Sequence, residues 1–152
     1  GPSGTREVPV EEFCTGPSRT VLKPGELLVS IEVPKPAPNS GAAYTRFIPR
    51  NEMDIAVAGV GVYVVLDDSG NNFESARIAL SAVGPTPILA TEAGDSMAGK
   101  PVDDKIIDTA ANLARDAASP ITDMRGTINQ RKQLIEVLSG RMINQAVERA
   151  RG

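Results

Sequence analysis

The chain has 152 residues, 41% of them apolar and 23% charged, with a formal net charge of −3, which suits one folded domain around one modest core. A mildly acidic surface with two Tyr, three Phe and no Trp argues against nucleic-acid partners, which ask for basic grooves and stacking platforms. One Cys and no His leave no internal disulfide, no zinc site and no histidine-based catalysis, so neither catalytic nor metal-ligating residues are assigned.

Arg6 to Val10 reads as a short strand, Phe13 to Arg19 as a Gly/Pro loop, and Lys23, Pro24 and Gly25 as a turn. Leu27 to Val33 alternates apolar and polar residues, which predicts a half-buried strand with Leu27, Val29, Ile31 and Val33 on one face. The prolines of Pro34 to Pro38 break that strand and make an extended linker through Ser40, where the main domain boundary is expected. The expected division is therefore 1–38 and 39–152.

Ala42 to Phe47 predicts a strand and Ile48 to Met53 a charged loop or bulge. Ile55 to Leu66 predicts a long strand with Gly59 and Gly61 on the same face as Ile55, Val57, Tyr63 and Val65. Glycines there mark either a bulge or tight helix packing, the commoner reading, or the close approach of a ligand. Asp67 to Asn72 supplies a hairpin loop, and Phe73 to Val83 returns antiparallel.

Ile88 to Ala98 reads as a short helix despite Gly94. Asp103 to Ala118 is a stronger one, with an apolar stripe of Ile106, Ile107, Ala110, Leu113, Ala114 and Ala117. The last helix starts at Thr127, whose hydroxyl caps it while Gln130 reaches back in a T-x-x-Q capping box. Its stripe is Leu134, Ile135, Leu138, Met142 and Ala146. Strands first and helices afterwards give an α+β fold, an antiparallel sheet packed on one face by about three helices and preceded by a short β segment.

No apolar run reaches the roughly 18 residues of a membrane span, and the start GPSGTREVPV lacks the apolar middle of a signal peptide, so a cytoplasmic location is expected. The chain begins with Gly rather than Met, and Gly1 to Gly4 reads as partly a processing scar. No G-x-S-x-G, S-x-x-K, Walker or G-x-G-x-x-G pattern occurs, and Gly59 to Gly61 falls inside a strand rather than before a helix. Asp67/Asp68 and Asp103/Asp104 have structural readings, in a hairpin and at a helix N-terminus. Arg46 and Arg50 sit between two strands near Asp54. Two readings stay open: surface ion pairs with Glu52 and Asp54, or a cation beside a flavin, where negative charge gathers near N1 on reduction.

The stretch Pro24 to Val62, PGELLVSIEVPKPAPNSGAAYTRFIPRNEMDIAVAGVGV, resembles the medium, FAD-binding subunit of molybdenum hydroxylases. That family includes the carbon monoxide dehydrogenase medium chain and the flavin domain of xanthine dehydrogenase. Gly4 to Val33 resembles the last strands of its FAD-binding region. From Gly41 onward the sequence is similar to the small C-terminal domain, where Y-x-K/R-F-x-x-R-x-x-x-D-I-A corresponds to Tyr44, Arg46, Phe47, Arg50, Asp54, Ile55 and Ala56. Arg77 to Leu80, Gly84 to Pro87, Gly99-Lys100 and Ile121 to Gly126 continue the series.

The resemblance implies part of an electron-transferring flavoprotein, a component of an oxidoreductase rather than a catalyst by itself. Leu28 and Arg46 match positions that approach the flavin ring, Arg46 replacing a frequent lysine with a planar fork. Gln130 replaces a frequent aromatic before Arg131. The implied partners are an upstream FAD-binding half, an iron–sulfur small subunit and a molybdopterin large subunit. The glycine-rich loops that grip the FAD phosphates in the family have no counterpart here, so weak or no FAD binding is expected of this chain alone. The alternative is a docking or assembly module without flavin, and a small-ligand carrier would need an apolar cavity.

Overall fold

A computed structural model describes residues 1–50 and 54–152. The expected charged loop is observed from Ile48 to Arg50, while its remainder, and any pairing with Glu52, lies outside the described residues.

The core forms around one antiparallel sheet. Strands β3 (Ser40–Phe47), β4 (Ala58–Leu66), β5 (Phe73–Ser81) and β6 (Ile88–Leu89) lie side by side in that order. β4 has neighbours on both edges, Tyr44 opposite Gly61 on one side and Ile78 opposite Val62 on the other. Its alternation therefore has consequences: Ala58, Val60, Val62, Val64 and Leu66 are buried, while Gly61, Tyr63 and Val65 point to the other face. The β4–β5 loop is tied by the Asp67 carboxylate, which accepts bonds from Asn72 Nδ2 (2.7 Å), Ser69 Oγ (2.8 Å) and Asn71 N–H (3.1 Å). Those donors, the Asn72 side chain foremost, hold Asp67 at a pKa of about 2.

Three helices cover the buried face. They are α2 (Thr91–Asp95), α3 (Asp104–Ala117) and α4 (Ile128–Arg151), and α4 lies against β3, β4 and α3. Asp103 caps α3 by accepting from Ile106 N–H (2.8 Å), and Thr127 caps α4 by accepting from Gln130 N–H (3.2 Å). Both stripes read from the sequence face the core, through Ile107, Ala110 and Ala114 on α3 and Ile135, Leu138, Met142 and Ala146 on α4. Gly94 permits close packing of α2, since a Cβ there would collide with the Ala76 carbonyl of β5. The α+β architecture with helices on one face stands as expected.

Several local expectations are corrected. Ile88–Leu89 is a strand, and Ala90 N–H continues its pairing by donating to Ile78 O (2.8 Å), so the helix starts only at Thr91. β4 begins at Ala58, because Asp54 turns the chain just before, its carboxylate accepting from Ile55 N–H (2.9 Å) and Arg50 N–H (3.1 Å).

Ahead of the sheet, Arg6–Pro9 forms no strand. Val10–Phe13 is a single helical turn, α1, with Glu11 and Glu12 at its positive end. The expected Phe13–Arg19 loop is instead a tight hairpin of β1 (Cys14–Gly16) and β2 (Arg19–Thr20). The turn at Lys23–Gly25 is present, closed by Glu26 N–H to Lys23 O (2.9 Å). The Glu26 carboxylate clamps Arg6 (2.8 and 2.9 Å) and accepts from Lys23 N–H, contacts that lower its pKa to about 2. Leu27–Val33 is not a paired strand. Leu27 is 81% and Val29 83% exposed, because no neighbouring strand takes its backbone groups among the described residues.

Candidate functional site

The face of the sheet away from the helices is open. β3 contributes Tyr44 and Arg46 there, β4 contributes Gly59, Gly61 and Tyr63, and β5 contributes Arg77 and Ser81. Strand register sets the arrangement, since Arg46 pairs with Gly59 and Tyr44 with Gly61. A Cβ on Gly61 would lie 3.6 Å from the Tyr44 ring, and one on Gly59 would meet the Ser81 hydroxyl and approach the Tyr44 hydroxyl at 3.5 Å. The two glycines thus form a trough that seats Tyr44. Neither a bulge nor a covering helix explains them, and Tyr44 still leaves 62% of its surface in water.

Arg46 stands next to that trough, its Cβ 3.6 Å from the position a Gly59 Cβ would take, and its side chain is exposed. It enters none of the ion pairs found between described residues. Arg50 does, its Nε 3.5 Å from the Asp54 carboxylate, as the surface-pair reading expected. Leu28 lies in the unpaired extended segment and is 54% exposed. The N-terminal segment reaches the open face at two points, Ala37 N–H to the Tyr63 hydroxyl (3.1 Å) and Glu11 to Arg77 (3.7 Å).

At the edge of this platform sits Arg131, 5% exposed on the first turn of α4. Its Nη1 donates to Val57 O (2.9 Å) and Ala82 O (3.1 Å), and its Nη2 donates to the Asp123 carboxylate (2.7 Å). Val57 immediately precedes β4 and Ala82 immediately follows β5, the latter with a φ of 63°. One guanidinium therefore joins two strand ends to the loop before α4. The Arg125 N–H and the Arg131 guanidinium together hold the Asp123 carboxyl below the usual carboxylate range. Sequence reasoning missed this clamp, although Arg131 precedes Ile135, Leu138 and Met142 at helical spacing on the buried stripe.

The described residues contain no group of His, Cys, Asp and Glu able to hold a metal. Two concavities among these residues are polar-walled. The larger, about 630 Å³, lies between α3 and α4 and is edged by Asp104, Asp108, Glu136 and Arg141.

A helix-backed sheet whose other face presents Tyr44 and Arg46 over a glycine trough defines an α+β domain with one open face. The profile of the CO dehydrogenase flavoprotein C-terminal domain matches residues 43–146, and the chain belongs to that family. It is 36% identical over 151 residues to the carbon monoxide dehydrogenase medium chain of Afipia carboxidovorans, covering 99% of this chain and 50% of that protein. It is 29% identical to the xanthine dehydrogenase FAD-binding subunit of Escherichia coli O157:H7, covering 99% and 51%. Reconstituted CO dehydrogenase from Oligotropha carboxidovorans superposes with a TM-score of 0.91 at 33% identity, over 98% of this chain and 51% of that one. The chain spans about half the length of these relatives.

Proposed function

We propose that this chain is the C-terminal part of the FAD-binding subunit of a molybdenum hydroxylase-type oxidoreductase. Residues 1–38 belong with the FAD-binding region and its linker, and residues 39–152 form the domain that closes over the ring. The observation that carries the reading is the open sheet face, where Tyr44 and Arg46 stand exposed over Gly59 and Gly61. A planar aromatic and an adjacent exposed cation suit a flavin ring that gains negative charge on reduction. Arg46 is the residue proposed to stabilise that charge, and Leu28 the one proposed to approach the ring from the N-terminal segment.

The residues present fit the ring and not the phosphates, since Gly59 and Gly61 sit within β4 rather than at a helix N-terminus. FAD, when bound, supplies the redox centre that passes electrons from iron–sulfur clusters to an external acceptor. The partners proposed are the upstream FAD-binding half, an iron–sulfur small subunit and a molybdopterin large subunit. The proposed location is the cytoplasm; no helix among the described residues is long and apolar enough to cross a membrane.

The test is a titration with FAD, followed by flavin fluorescence and reduction potential, with Arg46→Ala alongside. The chain alone is expected to bind weakly or not at all, and the chain joined to its upstream half to bind saturably. In the joined form Arg46→Ala lowers the flavin potential and weakens binding by about tenfold, equivalent to about 1.4 kcal/mol. An unchanged potential and affinity in that variant would remove Arg46 from the site.

A further inference from the structure

Arg46 stands where a strand would fray. It is the last residue but one of β3, and β3 is an outer strand of the sheet, paired among the described residues with β4 alone. Strand ends with a single neighbour open readily, and a side chain carried there moves with its backbone. The other end of β3 is held by the C-terminal turns of α4, where Gly41 lies close against the Ala146 carbonyl and Arg149 donates to Ala42 O (2.6 Å). The Arg46 end is held differently. Val57 N–H donates to Phe47 O (2.9 Å), one residue beyond Arg46, and Val57 O accepts in turn from Arg131 Nη1 (2.9 Å). Two hydrogen bonds thus lead from a buried guanidinium to the residue after Arg46.

The same Nη1 donates to Ala82 O (3.1 Å). Ala82 follows Ser81, Ser81 pairs with Gly59, and Gly59 pairs with Arg46, so the two carbonyls that Arg131 grips bracket the row of the sheet that carries the cation. Ala82 has a φ of 63°, a left-handed backbone that a non-glycine residue keeps only where its surroundings enforce it. Stability alone is a poor account of this clamp. A buried guanidinium is costly to desolvate, and Arg131 Nε is buried with no partner among the described residues. What the planar fork supplies is fixed spacing among Val57, Ala82 and the Asp123 carboxylate, three groups from separate stretches of chain.

We infer that Arg131 is a positioning residue for the redox site. Through backbone hydrogen bonds, and not by contact with the ring, it sets where Arg46 stands on the open face and so tunes the flavin's reduction potential. This rests on the reading of Arg46 as the cation beside a flavin. Coulomb attraction weakens with distance, so an Arg46 whose strand end drifts stabilises the reduced ring less.

The experiment uses the purified enzyme with its full-length flavin subunit, and reads the flavin potential, FAD affinity and thermal midpoint. Arg131→Lys keeps the charge and loses the fork. It is expected to lower the potential and to weaken FAD binding about threefold, against about tenfold for Arg46→Ala. In the Arg46→Ala background it is expected to shift the potential no further, because a residue that acts through Arg46 then has nothing to position. Asp123→Asn loosens the same clamp and is also expected to lower the potential, the opposite of the direct effect of removing a nearby negative charge. If Arg131→Lys does not fold, Asp123→Asn carries the test, alone and in the Arg46→Ala background. A folded clamp variant with a lower thermal midpoint and an unchanged or raised potential overturns the positioning role and leaves a purely structural clamp. An equal potential shift with and without Arg46 overturns it too. Arg46→Ala at the wild-type potential removes Arg46 from the flavin site, and this inference with it.

Discussion

Leu27–Val33 and Ala58–Leu66 carry the same signal, apolar residues at every second position, and meet opposite fates. In β4 the alternate side chains are buried; in the earlier segment Leu27, Val29, Ile31 and Val33 are all exposed. The two stretches differ in their neighbours. β4 is hydrogen-bonded along both edges and backed by α4, whereas Leu27–Val33 has no strand beside it among the described residues. Alternation states which face a strand would bury, and a partner decides whether there is a strand. Every buried hydrophobic residue lies at Ala43 or later, so the stability of this chain resides in its sheet-and-helix part.

The largest expected effect tests what fixes the ends of that sheet. Arg131→Met removes the shared donor of Val57 O, Ala82 O and Asp123. Breaking a buried pair by removing one member costs about 3–5 kcal/mol, and the lower end is expected because the Asp123 carboxylate keeps some access to water. Urea unfolding monitored by circular dichroism measures it. A loss below about 1 kcal/mol would mean the clamp is an accessory to packing rather than a fixture of the fold.

A matched pair then compares the two alternating stretches directly. Val62→Ala, in the core, is expected to cost about 2 kcal/mol, and Val29→Ala less than about 0.5 kcal/mol in this chain. Rejoining the upstream half sharpens the contrast. If Leu27–Val33 gains a neighbouring strand there, the cost of Val29→Ala rises toward that of Val62→Ala; if it stays small, the segment is a linker in the longer protein too.

The smallest effect is in acid. Asp67 and Glu26 both have folded pKa values near 2, against usual values of 3.8 and 4.5. Each depressed carboxylate contributes stability above its unfolded value, and that contribution is lost as pH falls toward 2. Asp67 secures the β4–β5 hairpin, so Asp67→Asn should flatten the acid limb of cooperative unfolding between pH 3.8 and about 2. Glu26 binds Arg6 within the exposed segment, so Glu26→Gln should leave that limb unchanged. Equal responses would show that the two regions unfold as one unit.

Much of the fold was legible because its signals are local. The β4–β5 hairpin followed from two alternating runs around Asp67–Asn72, and α3 and α4 followed from their stripes and from the caps Asp103 and Thr127. Ile88–Leu89 was misread for want of the long-range fact that β5 has a free edge there. The site was legible only in part. Arg46 was singled out from its neighbours in sequence, but its place beside Gly59 and under no helix depends on strand register. Tyr44 was quoted within a motif and given no role, since only the register places it over Gly61.

The sequence by itself determined helices α3 and α4, the β4–β5 hairpin and the lack of histidine, because each depends on a few adjacent residues or on composition. The tertiary structure alone decided which alternating segment became a strand, where the glycine trough lay, and that a stripe residue was a clamp. Arg131 meets Ala82 and Val57 across 49 and 74 positions of chain. Contacts at such separation are set by how the sheet and α4 pack together, and no local pattern encodes that.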